Sequence, residues 1–249
     1  MSEKLFIGTS GWNYKHWRNS IYPEKFAARK WLAYMAERFN TVELNTSYYS
    51  IPTENAVKTW DTTVPPGFRF AAKLWRGITH YRKLKNSTDF IVRYLEVINC
   101  ITKPHRGPIL VQLPPNQGKD LVKLSDFIDD WRATDAEHWK LAVEFRNNNW
   151  LTPDTYHLLD RKRVALCIHD MHGKAAVDEP NDVPLIYLRR HGGGERHYEG
   201  SYSPEQIGRD AQHIRKWLTE GRTVYVYYNN DIGGHAYHNA LDLRKRVEG

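Results

Sequence analysis

The chain has no apolar run approaching the roughly 18 residues of a membrane-crossing helix, so no helical membrane span is expected. Its first ten residues, MSEKLFIGTS, lack the long apolar stretch of a secretory signal, and a cytoplasmic location is expected. Cysteine is scarce: Cys100 and Cys167 stand far apart in apolar settings and read as reduced core residues rather than a disulfide. No Cys cluster and no His-Glu-x-x-His segment is present, so the strong zinc signatures are missing. There is no Gly-x-Ser-x-Gly elbow, and no Gly-rich phosphate fingerprint follows the first apolar strand. Internal repeats, low-complexity tracts and a linker that would split the chain are also lacking, so residues 1–249 read as one domain.

What is abundant is aromatic side chains, nine Trp and fifteen Tyr, which serve both cores and ligand sites. The 36 basic residues outnumber the 29 acidic ones, giving a formal charge of +7 that permits an anionic partner without requiring one. Short apolar segments alternate with helical patterns along the chain. KLFIGTSGW, TVELNTSYY, FRFAAKLW, GPILVQLPP, KLAVEFRNN, VALCIHD, PLIYLRRHG and TVYVYYNND read as eight strands. Helices are expected between nearly all of them, with Phe90, Ile91, Tyr94, Leu95 and Ile98 on one side of one. Thr152 is placed to cap another, with Pro153 at its first position. The last two are expected over about 204–219 and 236–246. Eight strands with intervening helices indicate an α/β fold, a (β/α)8 TIM barrel, and an open doubly wound sheet is the alternative. MHGKAAVDEPNDV, between strands six and seven, reads as a loop, so the helix there is short or missing. HGGGERHYEG reads as a loop after the seventh strand; its glycines and basic groups suit either an anion cradle or a plain surface loop.

Two strands carry charge where a core strand should not. Glu43 with Asn45, and Glu144 with Arg146, each occupy one face near a carboxyl end, because residues i and i+2 point the same way. Unpaired buried charge is costly, so these residues need partners or a task. In a TIM barrel the carboxyl ends of the strands form the ligand-binding mouth. They would bring together Ser10, Trp12, Glu43, Asn45, Lys73, Gln112, Glu144, Arg146, His169, Asp170, Arg189, His191, Asn229, Asn230 and Asp231.

Glu43, Lys73, Glu144, His169 and His191 are the candidate acid–base groups, and Lys73 is also a candidate Schiff-base nucleophile. Arg146 and Arg189 could clamp a phosphate or carboxylate. Arg190 has the opposite parity to Arg189, so only one of the two faces the mouth. Ser10, Trp12, Asn45, Gln112, Asn229, Asn230 and Asp231 complete the expected substrate contacts. The bland alternative is a buried ion-pair network holding strands in register, with Glu43 paired to Lys73 on the adjacent strand. His169-Asp170-x-His172, with Glu43 and Glu144 nearby, offers zinc or manganese ligands but matches no strong motif. No metal is assigned, and no cofactor is identified.

GTSGWNYKHW, FNTVELNTSYYSIP, FRFAAKLWRGITH, GPILVQLPPN, LAVEFRNNNW, YLRRHG and YVYYNNDIGGHAYHNA together resemble the YecE-like family of TIM-barrel proteins of unknown function. The resemblance runs from about residue 5 to 240. It implies the barrel fold and supplies no reaction. It covers most of the same strand-end residues and adds His80. One departure is Asn147-Asn148-Asn149-Trp150, where a His-containing stretch before the Trp is expected.

Two functions follow from the pattern. One is an enzyme acting on a small anionic substrate, such as a phosphorylated sugar or a nucleotide, by acid–base chemistry; isomerisation, lyase chemistry and hydrolysis all fit the pattern. The other is a nucleic-acid-binding or nucleic-acid-processing protein using its basic balance and the aromatics Trp12, Tyr14, Trp17 and Trp75. Non-catalytic binding of a metabolite is the third. The oligomeric state leaves no mark on the sequence.

Overall fold

The computed structural model describes residues 3–136, 138–171, 176–192 and 198–249. Eight strands, β1 (Leu5–Thr9), β2 (Thr41–Leu44), β3 (Arg69–Lys73), β4 (Arg106–Gln112), β5 (Leu141–Glu144), β6 (Ala165–His169), β7 (Leu185–Arg190) and β8 (Thr223–Tyr228), pair in parallel. Their order is β1-β8-β7-β6-β5-β4-β3-β2, and a parallel bridge between Ser10 and Glu43 joins the two ends. This is the TIM barrel expected from the strand count.

The β1–β2 seam closes on two residues. Gly8 faces β2 so closely that a Cβ there would lie 2.1 Å from the Thr41 carbonyl oxygen, and only glycine fits. Asn40 laces the seam from below, accepting from Ile7 N at 3.1 Å and donating to Leu5 O at 2.6 Å. Its side chain replaces ladder bonds that the strands themselves do not make.

The helices are α1 (Trp31–Ala36), α2 (Thr46–Tyr49), α3 (Glu54–Thr63), α4 (Thr88–Ile98), α5 (Leu121–Arg132), α6 (Pro153–Arg161), α7 (Pro204–Thr219) and α8 (His235–Glu248). α4 buries Ile91, Tyr94, Leu95 and Ile98, as its spacing requires. α7 starts at a complete capping box, Ser203 with Gln206, with Pro204 in the first turn. Thr152 does stand at the N-cap of α6, but its side chain caps no backbone N–H. Instead its hydroxyl lies 3.2 Å from the Thr155 hydroxyl. Among the described residues of 170–184 there is no helix. Val177 folds back on His169 through two backbone hydrogen bonds of 3.0 Å.

Two expected strands stop earlier than their alternating pattern. β2 ends at Leu44, and the next residues coil into α2, so Asn45 is a helix N-cap and not a strand residue. β5 ends at Glu144, and Arg146 lies beyond it. No described helix is long and apolar enough to cross a membrane.

Strand parity separates two cores. Residues such as Val42, Leu44, Ile109, Val143, Leu166, Ile186 and Val226 face the helices and join one large cluster. The opposite parity fills the barrel lumen with Phe6, Ala71, Leu110, Ala142, Ala165, Cys167, Leu185, Tyr187, Tyr225 and Tyr227. Side chains fill the lower lumen, as in other barrels of this size. The next inward residues towards the carboxyl ends are polar, and there the candidate site begins.

Candidate functional site

Glu43 and Glu144 are both fully buried, and both are held by Arg189, itself only 1% exposed. Arg189 Nη2 donates to Glu43 Oε1 at 2.8 Å, and Nη1 donates to Glu144 Oε2 at 2.6 Å. The Ser10 hydroxyl also donates to Glu43 Oε1, and the Tyr187 hydroxyl donates to Oε2 at 2.5 Å. Arg146 pairs with the remaining Glu144 oxygen. Burial alone would raise the Glu144 carboxyl, but Arg146 and Arg189 overcome it and hold it well below its ordinary value. Two carboxylates are thus matched by two guanidiniums, and short, charge-assisted bonds offset the desolvation of all four.

The two histidines stand beside this network. His191 lies between Asn229 Nδ2 at 3.1 Å and Arg146 Nη2 at 3.3 Å. Burial, with Arg189 and Arg146 nearby, pushes its pKa well below the ordinary value, so it is neutral at pH 7. His169 places Nε2 3.0 Å from the Phe145 carbonyl, and its Nδ1 accepts from Met171 N at 3.4 Å. Burial lowers its pKa as well. Both shifts favour the neutral ring over the imidazolium form.

Lys73 ends β3 on the same inward parity as Ala71. Its ammonium lies 4.0 Å from the centre of the Tyr48 ring. Among the described residues it makes no hydrogen bond and no ion pair. Burial and the nearby Arg189 lower its pKa from the ordinary 10.5 to about 7, against the pull of Glu144 and Glu43. The loop after β3 includes a single π-helical turn, Gly77–Tyr81. It presents His80, whose Nε2 lies 3.1 Å from the Tyr48 hydroxyl. Burial, then Lys73, lowers the His80 pKa to about 4.

A cavity of about 680 Å³ opens above the network. Trp12, Tyr14, Tyr48, Trp60 and Tyr198 give it aromatic walls, while Lys73, Arg189, Asn45, Asn229 and Asp231 give it polar contacts. Its size and mixed lining are those of small-molecule sites.

Of the expected residues, Trp12, Asn45, Lys73, Arg189, Asn229 and Asp231 line this cavity, and Ser10, Glu43, Glu144, Arg146, His169 and His191 lie beneath it or beside it. Others fall elsewhere. Glu43 pairs with Arg189 from across the barrel, not with Lys73 on the neighbouring strand. Gln112 shares a rung with Glu144 but is not part of the cavity wall. Asn230 turns towards α8, donating to Asn239 Oδ1 and the Gly200 carbonyl at 2.9 Å each. Asp170 accepts from the backbone at His191 N and from the Tyr202 hydroxyl. Arg190 points outward to Asp210 of α7, as its parity requires. Trp12 and Trp17 are buried rather than exposed, and the Trp17 indole donates to the Asp231 carbonyl at 2.8 Å. Trp75 is half-buried and stacks on Phe90. At the departure from the family pattern, Asn147 closes the loop by donating to the Pro115 carbonyl at 2.8 Å. His172 and residues 193–197 of the HGGGERH loop lie outside the described residues.

Sequence reading missed Tyr48, Trp60 and Tyr198 in the wall and Tyr187 in the network. Tyr187 was findable, because it stands two residues before Arg189 and so shares its face. Tyr48 and Trp60 lie on helices and carry no such signal.

Ligand atoms of Glu144, His169 and His191 lie within 4.8 Å of one another. A divalent cation does not fit them well. Both Glu144 oxygens already face guanidiniums, His169 has both nitrogens engaged, and a cation there would add to the charge of Arg146 and Arg189.

Fold and site together define a TIM-barrel protein with an ion-paired lumen beneath a polar and aromatic cavity. The family model described as "Protein of unknown function DUF72" matches residues 6–249, and the chain belongs to that family. It is 25% identical to the UPF0759 protein YunF of Bacillus subtilis (strain 168), over 98% of this chain and 95% of that protein. It is 29% identical to the UPF0759 protein YecE of Escherichia coli (strain K12), over 50% of this chain and 43% of that one. The crystal structure of a DUF72 family protein from Thermotoga maritima MSB8 superposes with a TM-score of 0.84 at 25% identity, covering 98% of this chain and 99% of that one. The resemblance read from the sequence motifs is thereby established at the level of family and fold.

Proposed function

We propose that the cavity binds a small anionic molecule with a sugar-like or other ring body, and that the protein transforms it by acid–base chemistry centred on Lys73. One observation carries this reading. The lumen carboxylates are already matched by Arg189 and Arg146, so among the described residues Lys73 is a cavity-wall amine without an ion-pair partner. An anionic group would supply the missing partner. The aromatic walls suit a ring, and Asn45, Asn229 and Asp231 suit hydroxyls. An amine titrating near pH 7 carries a proton either way at working pH, which general acid–base catalysis needs. Glu144, held ionised by two guanidiniums, is a weak base and serves to position Arg146 and Arg189.

Calorimetric titration with inorganic phosphate and ribose 5-phosphate at low salt tests this. Binding is expected, weakened about tenfold or more in Lys73→Met, the scale of one charge-assisted hydrogen bond. No binding of either anion to the wild-type chain overturns the reading.

A second reading, single-stranded nucleic acid, has one observation in its favour. Tyr49 and Tyr81 are 62% and 69% exposed, and the Arg76 guanidinium stands within 5.6 Å of both ring centres. Such side chains stack bases and meet phosphates. Binding of a short oligonucleotide that falls steeply with salt and is lost in Tyr49→Ala supports it; no binding at low salt removes it.

A further inference from the structure

We propose that Lys73 forms an imine with an aldehyde or ketone group of the anionic substrate, so that the protein acts on carbonyl compounds. This rests on the reading of the cavity as a small-anion site and names the substrate class within it.

The placement of Lys73 separates it from a lysine that merely balances charge. It is the last residue of β3, at the carboxyl end of the barrel, where reacting groups of this fold are carried. A charge-balancing lysine is tethered to a carboxylate. Here both lumen carboxylates are held by other groups: Glu43 by Arg189, Ser10 and Tyr187, and Glu144 by Arg189 and Arg146. Among the described residues the Lys73 amine meets the face of Tyr48, which attracts an ammonium but does not hold the lone pair of a free amine. Amines next to other cations in desolvated pockets are the ones that act as nucleophiles, because those surroundings favour the uncharged form. The lowered pKa, about 7, gives Lys73 a substantial uncharged fraction at neutral pH, against about 3 parts in 10⁴ for an ordinary lysine.

The step balances without any co-reactant. The Nζ lone pair attacks the carbonyl carbon, a C–N bond forms, and the C=O π pair becomes an alkoxide that takes up a proton. Nitrogen gives up one proton as the alkoxide gains one, the carbinolamine hydroxyl takes a proton from solvent and leaves as water as the nitrogen lone pair forms C=N, and the iminium returns its last N–H proton to solvent. The net reaction is amine plus carbonyl giving imine plus water. Asn45 and Asn229 in the wall can bind hydroxyls beside the carbonyl, and the Arg189 and Lys73 side gives the anionic group its attraction.

The test is reductive trapping. The full chain is incubated separately with pyruvate, glyoxylate, dihydroxyacetone phosphate and glyceraldehyde 3-phosphate at pH 7, reduced with sodium borohydride, and mapped by peptide mass spectrometry. Trapping at Lys73 by at least one compound is expected, about tenfold or more above any other lysine, suppressed by excess glycerol 3-phosphate and absent from Lys73→Arg and Lys73→Met. Circular dichroism of both variants establishes that they fold, and the competition arm reads the wild-type chain alone. Labelling of Lys73 no higher than that of other lysines with all four compounds overturns the proposal. Glycerol 3-phosphate carries no carbonyl, so its calorimetric binding without trapping overturns the imine and leaves the anion site standing. Absence of both overturns both.

Discussion

Replacing Arg189 by Met removes a guanidinium that ties the two lumen carboxylates, Glu43 and Glu144, together. The guanidinium lies 2.6 Å from Glu144 Oε2, 2.8 Å from Glu43 Oε1 and 3.2 Å from the Ser10 hydroxyl. Without it Glu144 keeps Arg146, but among the described residues Glu43 keeps the Ser10 and Tyr187 hydroxyls and no paired cation. Breaking a buried pair by removing one member costs about 3–5 kcal/mol, because the survivor stays buried. For a chain of this length each kcal/mol shifts the melting temperature by about 2–4 °C, so a fall of about 6–20 °C is expected. Thermal and urea unfolding at pH 7 measure it. Glu43→Gln on the Arg189→Met background removes the stranded charge and should restore part of the loss, giving a coupling of more than about 1 kcal/mol in the double-mutant cycle. A loss below about 1 kcal/mol, the scale of an exposed pair, would refute the argument that the lumen is one desolvated ionic unit. So would additivity of the two substitutions.

Three further outcomes follow from the same structure. Glu144→Gln should flatten the acid limb of stability: the folded carboxyl titrates below its unfolded 4.5, so its contribution is present above that value and lost as pH falls through the folded pKa. Urea midpoints from pH 3 to 7 report it, and parallel curves for wild type and variant would contradict it. Lys73 has the opposite linkage. Its folded pKa of about 7 lies below the unfolded 10.5, so the unfolded state binds more protons between those values and wild-type stability should rise relative to Lys73→Met from pH 7 to 9; a constant difference across that range rejects the shift. Gly8→Ala should destabilise by about 3 kcal/mol or more, because its methyl meets a backbone carbonyl that cannot yield, and a near-normal melting temperature would reject the seam geometry.

The barrel was legible because parity and punctuation agree along most of the chain. α7 begins where Ser203-Pro204 places it, and the outward-facing Val42, Leu44 and Val143 are apolar as a helix-covered sheet demands. The strand ends of β2 and β5 were misread because polar alternation continues past them into α2 and the loop at Arg146, and alternation alone does not mark where pairing stops. That Glu43, Lys73 and Glu144 face one mouth followed from parity. Their partners did not: Arg189 reaches Glu43 across 146 residues of chain through the lumen, a contact set by barrel closure rather than by any local pattern. Trp12 and Trp17 looked available for stacking because they follow a strand end, yet both are buried: the short helical turn at Lys15–Trp17 carries Trp17 inward, and Trp12 packs into the cavity wall.

Lys73 carries the account, and its titration is the most direct measurement of it. Reductive ¹³C-methylation of the folded chain, with the Lys73 signal assigned by its loss in Lys73→Arg, allows NMR titration of that amine from pH 5 to 11. The structure predicts an apparent pKa of about 7, rising when inorganic phosphate occupies the cavity. A value at the ordinary 10.5, unmoved by phosphate, would contradict both the desolvated amine and the anion site built on it.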